Sequence, residues 1–285
     1  MEKLTRILAV VDGIKECALV LGKSVALARR FGAHVELLLF GTVDAGEIAK
    51  LHAELAYGKV TFASMHRASE SLTEAILRRV LATQPDLVVK PATGTHPLQR
   101  WTLDDNDWRL ANECPAPVLL VRSNPWASPI RFAAAVDVAD DETIDTARSI
   151  LHSAGFMALG CHGKLDILYS EREQNDDALR MERAVKLAQL VREYHVGCER
   201  IQVFDGEPEQ TLPPLVAARH YDVLVLGAQS RQPALKNIFG ATTSRLVQAT
   251  EGDVVLIKPP GHEAVYRPDD VSIREKRFHE TEQFA

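Results

Sequence analysis

The chain has 285 residues, 46% apolar, 25% charged and 6% aromatic, an ordinary globular composition that excludes collagen, coiled coil and disorder. Lys and Arg number 33 against 39 Asp and Glu, a net charge of −6, and neither half has the cation excess that phosphate-backbone binding requires, so no nucleic acid is expected as a partner. The longest apolar run near the N-terminus, Ile7–Val11, ends at Asp12, too short for a signal peptide or a membrane helix. With only four cysteines, Cys17, Cys114, Cys161 and Cys198, the expectation is a cytoplasmic protein without membrane association.

Strand and helix signals alternate through the first half. Ile7–Val11 is a continuous apolar run, as expected of a parallel strand buried on both faces. A helix is predicted over Ala18–Phe31, a strand at Val35–Phe40, a helix near Ala45–Tyr57 and a strand at Lys59–Met65. There follow a helix at Leu72–Ala82, a strand at Asp86–Val89, a short helix at Asp105–Asn112 and a fifth strand at Pro117–Val121. Five strands alternating with helices describe an α/β, doubly wound parallel sheet of Rossmann-like type.

The second half repeats the plan. Ile7–Asp12 matches Phe132–Asp137, Asp86–Val89 matches Asp222–Val225, and Pro117–Arg122 matches Asp253–Lys258. The offset is 125 residues at the first segment and 136 at the other two, which places an extra segment near Gly155–Gly163. A tandem duplication accounts for the conserved order, with domains at 1–126 and 127–261 joined by the linker Ser123–Pro129. Beyond Gly261 the composition turns charged and irregular, and 262–285 reads as a mobile tail.

Ligands of open parallel sheets bind beyond the carboxyl ends of the strands, at the switch in strand order. That directs attention to Asp12 and Asp137 and to the loops after Val89 and Leu226. The second of these loops reads Gly227-Ala228-Gln229-Ser230, nine residues to Phe239, then Gly240-Ala241-Thr242-Thr243-Ser244 opening a helix. Gly227 lets backbone approach a ligand, and the helix start at Gly240 offers N–H groups and hydroxyls to a phosphate. Gly227 and Gly240 as plain turns, with Thr242 as a cap, is the structural alternative.

These residues resemble the universal stress protein family, whose nucleotide-binding members carry Gly-x2-Gly-x9-Gly-Ser after the fourth strand. Here the frame is Gly227-x2-Ser230-x9-Gly240-Ala241, so Ser230 replaces a glycine and Ala241 the serine. Ser230 brings a Cβ towards the phosphates, and Thr242 or Thr243 stands in for the lost hydroxyl. Asp107-Trp108-Arg109-Leu110, Pro115–Leu119 and Pro125-Trp126 look like the tandem, E-type members in particular. The resemblance implies ATP or another adenine nucleotide in the second domain, with Asp137 near base or ribose and Gly227, Ser230, Gly240, Ala241 and Thr242 around the phosphates. It also implies a stress-response role as sensor or adaptor, and an internal pseudo-dimer in which the two halves pair within one chain through their fifth strands. Further homo-oligomerisation stays open.

The first domain lacks the frame. Lys90-Pro91-Ala92-Thr93-Gly94 follows its fourth strand, and Asp104, Asp105 and Asp107 would repel a polyphosphate there, so no nucleotide is expected. No catalytic residue is assigned, because the loop has no P-loop Lys-Ser/Thr pair, no His nucleophile and no evident general base. A slow ATPase or phosphotransferase and a non-nucleotide interaction scaffold remain the alternatives. Cys161, His162, His195 and Cys198 have zinc-type donors, but an adjacent Cys-His pair chelates poorly, and no metal is assigned. Pro213-Pro214 is expected to bend or delay the helix after Gly206-Glu207-Pro208.

Overall fold

The computed structural model describes residues 1, 3–12, 17–40, 46, 49–50, 53, 62–67, 71–92, 105–122, 124–139, 141–171, 177–193, 197–228 and 241–258. These residues form two compact units, one built on Lys3–Pro91 and Glu113–Val121, the other on Ala92–Asn112 and Arg122–His262.

In the first unit β1 (Arg6–Asp12), β2 (His34–Phe40), β3 (Phe62–Arg67), β4 (Leu87–Pro91) and β5 (Val118–Val121) lie in the order β3-β2-β1-β4-β5, with every pair parallel. Ile7–Val11 and the whole of β4 are buried, as the apolar runs demand of strands covered on both faces. Helices α1 (Cys17–Phe31) and α2 (Leu72–Thr83) supply cover; α2 starts on Ser71, whose hydroxyl accepts from the Glu74 N–H at 3.3 Å. The expected helix at 45–57 falls almost entirely outside the described residues.

The second unit repeats this order with β6 (Arg131–Ala135), β7 (Lys164–Glu171), β8 (Arg200–Asp205), β9 (Val223–Gly227) and β10 (Asp253–Ile257), arranged β10-β9-β6-β7-β8. All four pairings are again parallel. Its helices are α3 (Asp105–Glu113, up to Asn112), α4 (Asp141–Gly160), α5 (Asp177–Glu193), α6 (Pro208–Arg219) and α7 (Ala241–Ala249). Ala147, Ile150, Leu151, Ala154, Met157 and Ala158 form the buried stripe of α4. This helix has 20 residues where α1 has 15, so part of the extra segment expected near Gly155–Gly163 is a lengthened helix. It ends at Gly160; the His162 N–H then bonds the Leu159 carbonyl and the Gly163 N–H that of Ala158, with His162 left-handed at φ 51.

Two devices recur in both halves. Asp86 Oδ2 accepts the Thr5 N–H and hydroxyl at 2.7 Å each and the Arg6 N–H at 3.0 Å, pinning the start of β1. Asp222 does the same for β6, taking the Ala127 N–H at 2.9 Å and the Arg131 N–H at 2.7 Å. At the other matched segment, the Arg122 guanidinium is buried and donates to the Thr250 carbonyl and, at 2.8 Å, to that of Val247, closing the C-terminus of α7. Burial pushes this guanidinium down to about 10 against the pull of Asp253, so it stays charged at neutral pH. Its counterpart Lys258 donates from Nζ to the Asn112 carbonyl in the last turn of α3.

Candidate functional site

Strand β6 leads on to β7 on one side, while its other neighbour is β9, with Ala134 opposite Val225. The strand order therefore reverses between β6 and β9. Asp137 and Gly227 stand at the carboxyl ends of these two strands. Asp137 lies between buried Val136 and Val138 and accepts the Ala139 N–H on Oδ1 at 3.0 Å, a local turn that leads the chain towards α4. A Cβ at Gly227 would lie 2.9 Å from Thr146 Cγ2 and 3.4 Å from Ile150 Cδ1. Gly227 thus lets α4 cross close above β9, a packing demand independent of any ligand.

Helix α7 opens beside Gly227. The Thr243 hydroxyl donates to the Gly227 carbonyl at 3.2 Å, and the Thr242 hydroxyl donates to Glu209 Oε2 at 3.2 Å. Both hydroxyls expected to replace the one missing at Ala241 are therefore engaged within the protein. Sequence reasoning missed Glu209, which brings a carboxylate to the first turn of α7, where the helix dipole favours it and where a phosphate would compete with it.

The position of Glu209 depends on the proline pair. Pro213 and Pro214, expected to bend or delay the helix, do not delay it: α6 begins on Pro208 and runs through both to Arg219. Pro213 has no N–H to give the carbonyl four residues back, which is that of Glu209. Arg245 of α7 donates to that carbonyl at 3.3 Å instead. One residue of α6 thus meets α7 twice, through its backbone to Arg245 and through its side chain to Thr242. The proline offset marks the freed carbonyl in the sequence, but no signal there gives its partner.

Ser230 and Gly240 lie outside the described residues, as do Arg231 and Lys236, and Ala241 is described only as the first residue of α7. In the first half, Asp12 ends β1 exposed, in register with Phe40. Asp107 is buried, so it is not a solvent-facing member of the acidic group expected at the start of α3.

The zinc-type set does not assemble where it is described. Cys161 is buried while His162 is exposed, Cys198 is half-buried, and His195 lies outside the described residues. Burial pushes the Cys198 thiol up. No group of three or more His, Cys, Asp or Glu able to hold a metal ion occurs among the described residues. Glu171, at the end of β7, is committed to the Tyr169 hydroxyl at 2.8 Å and to Arg183 of α5. No helix among the described residues is long and apolar enough to cross a membrane.

Two repeated, doubly wound α/β halves, one carrying an aspartate and a glycine at its strand-order reversal, define a tandem Rossmann-like protein. The universal stress protein family model matches residues 41–122 and 135–258, and the chain belongs to that family. It is 23% identical over 215 residues to universal stress protein E of Escherichia coli K12, covering 69% of this chain and 68% of that one. A Pseudomonas aeruginosa UCBPP-PA14 protein provisionally described as a universal stress protein has a similar structure, with TM-score 0.80 and 21% identity over 92% of this chain and 95% of that one. A universal stress protein from Archaeoglobus fulgidus DSM 4304 follows at TM-score 0.61 and 13% identity, covering 92% and 98%. Identities this low show a shared fold.

Proposed function

We propose that the second half of this stress-response family member binds an adenine nucleotide, ATP being the first candidate, and acts as a sensor or adaptor. The observation that carries the reading is that Asp137, just past β6, and Gly227, the last residue of β9, both lie at the carboxyl ends of neighbouring strands where the strand order reverses. From Gly227 the loop frame runs through Ser230 to Gly240 and Ala241, and Thr242 and Thr243 open α7 beside it. In this reading Asp137 faces base or ribose, and the loop and first turn of α7 hold phosphate.

An interaction scaffold is the second reading, and the Glu209–Thr242 hydrogen bond favours it, because it occupies the helix start with a carboxylate. Thermal unfolding with and without ATP separates the two. A nucleotide at 100 times its dissociation constant stabilises by about 2.7 kcal/mol, so Tm rises with ATP and a nucleotide copurifies in native mass spectrometry. An unchanged Tm at millimolar ATP, with no copurifying nucleotide, supports the scaffold.

A further inference from the structure

Strand β8 ends the strand order of its unit and leaves one edge unpaired among the described residues. Its register with β7 sets Ile167 beside Ile201, Tyr169 beside Val203 and Glu171 beside Asp205, all on one face. Helix α5 covers this face above β7, where Arg183 pairs with Glu171, and reaches β8 through the Arg180–Asp205 ion pair. It does not cover the middle of β8: Ile201 is 42% and Val203 41% exposed. On α5, which reaches β8 through Arg180, Met181 is 66% and Val185 48% exposed. Among the described residues this edge strand has no proline or lysine, its charges Arg200 and Asp205 sit at its two ends, and its middle presents two exposed β-branched residues, which leaves that middle open to pairing.

We infer that this edge and the flank of α5 form a docking surface for a second copy of the same chain. Asp177, Met181, Ala184, Ala188 and Arg192 recur along α5 at spacings of four, three, four and four. This exposed or half-exposed row lies away from the buried Leu187 and Leu190. A twofold axis between Ala184 and Val185 sets Asp177 against the partner's Arg192 and Met181 against the partner's Ala188, opposite charge to charge and large side chain to small. In β8, an antiparallel pair centred on Gln202 sets Ile201 against the partner's Val203, and Arg200 against the partner's Phe204.

One axis serves both elements. Three strand residues from Asp205 back to Gln202 span about 10 Å, the rise of about seven helix residues counted from Arg180, which reaches the α5 midpoint to within one turn. The antiparallel helices also bring the acidic first turn of each beside the basic last turn of the other. The occupant is therefore a copy of this chain.

Sedimentation of the full chain tests this, with folding checked by circular dichroism. The wild type is expected to run as a dimer of the 31.5 kDa chain at micromolar concentration. Val203→Lys and Asp177→Arg each weaken the dimer at least tenfold without loss of secondary structure, and adding Arg192→Asp to Asp177→Arg restores it. A wild type that stays monomeric at 100 μM overturns the inference and leaves the face to residues 262–285 or to a different protein. A dimer indifferent to both substitutions, or one that the charge exchange fails to restore, overturns it equally.

Discussion

Glu209 carries the sharpest residue-level consequence. Its carboxylate sits on the Thr242 hydroxyl at the start of the helix to which a phosphate would bind. One like charge at such a site is worth on the order of 1 kcal/mol near a surface, so Glu209→Gln should tighten ATP binding about fivefold, as read by calorimetric titration. An unchanged or weaker affinity would place the phosphates elsewhere. Asp86 carries a pH dependence. Burial pushes its carboxyl up, but the hydrogen bonds from the Thr5 side chain and from the Thr5 and Arg6 backbone outweigh this and hold it below the usual value. A carboxyl depressed in the folded state contributes stability above its unfolded pKa, and that contribution is lost as pH falls through the folded value. Asp86→Asn should therefore lower Tm at pH 7 and flatten the fall in Tm on acidification below about pH 4. Parallel curves for the variant and the wild type would show that the pinning of β1 does not depend on charge.

At the scale of elements, Gly227 is a packing position that the proposed nucleotide site also uses. Its missing Cβ makes room for Thr146 and Ile150 of α4. Gly227→Ala should cost about 1–3 kcal/mol of stability in a denaturant titration, with or without ATP, because overpacking acts on the empty fold as well. A variant as stable as wild type would show that α4 yields at no cost. Most strands were legible in the sequence because they are apolar runs of four to six residues: Ile7–Val11, Val118–Val121 and Val254–Ile257 are buried end to end. The reversal site was legible through Asp137 and Gly227, since strand ends follow from those runs. What was not legible is long-range. The sequence shows that Pro213 removes a donor, but the rescue comes from Arg245, 36 residues beyond the Glu209 carbonyl it serves. The engagement of Thr242 by Glu209 likewise depends on how α6 meets α7, which no local pattern encodes.

At the scale of the whole molecule, the duplication extends to single hydrogen bonds. Asp86 and Asp222 pin equivalent strand starts, and Arg122 and Lys258, one offset of 136 residues apart, each close the last turn of a helix. Arg122→Ala should cost about 1–3 kcal/mol, seen as a lower Tm, because it strips a buried donor from the Val247 and Thr250 carbonyls. The halves differ at the loop after the fourth strand, and we propose that only the second loop takes nucleotide. Isothermal titration of the full chain with ATP, repeated on Gly240→Asp, tests it most directly. One ATP per chain is expected in the wild type and none in the variant, where a carboxylate would stand at the proposed phosphate site. Two ATP per chain, or one that survives Gly240→Asp, would contradict it.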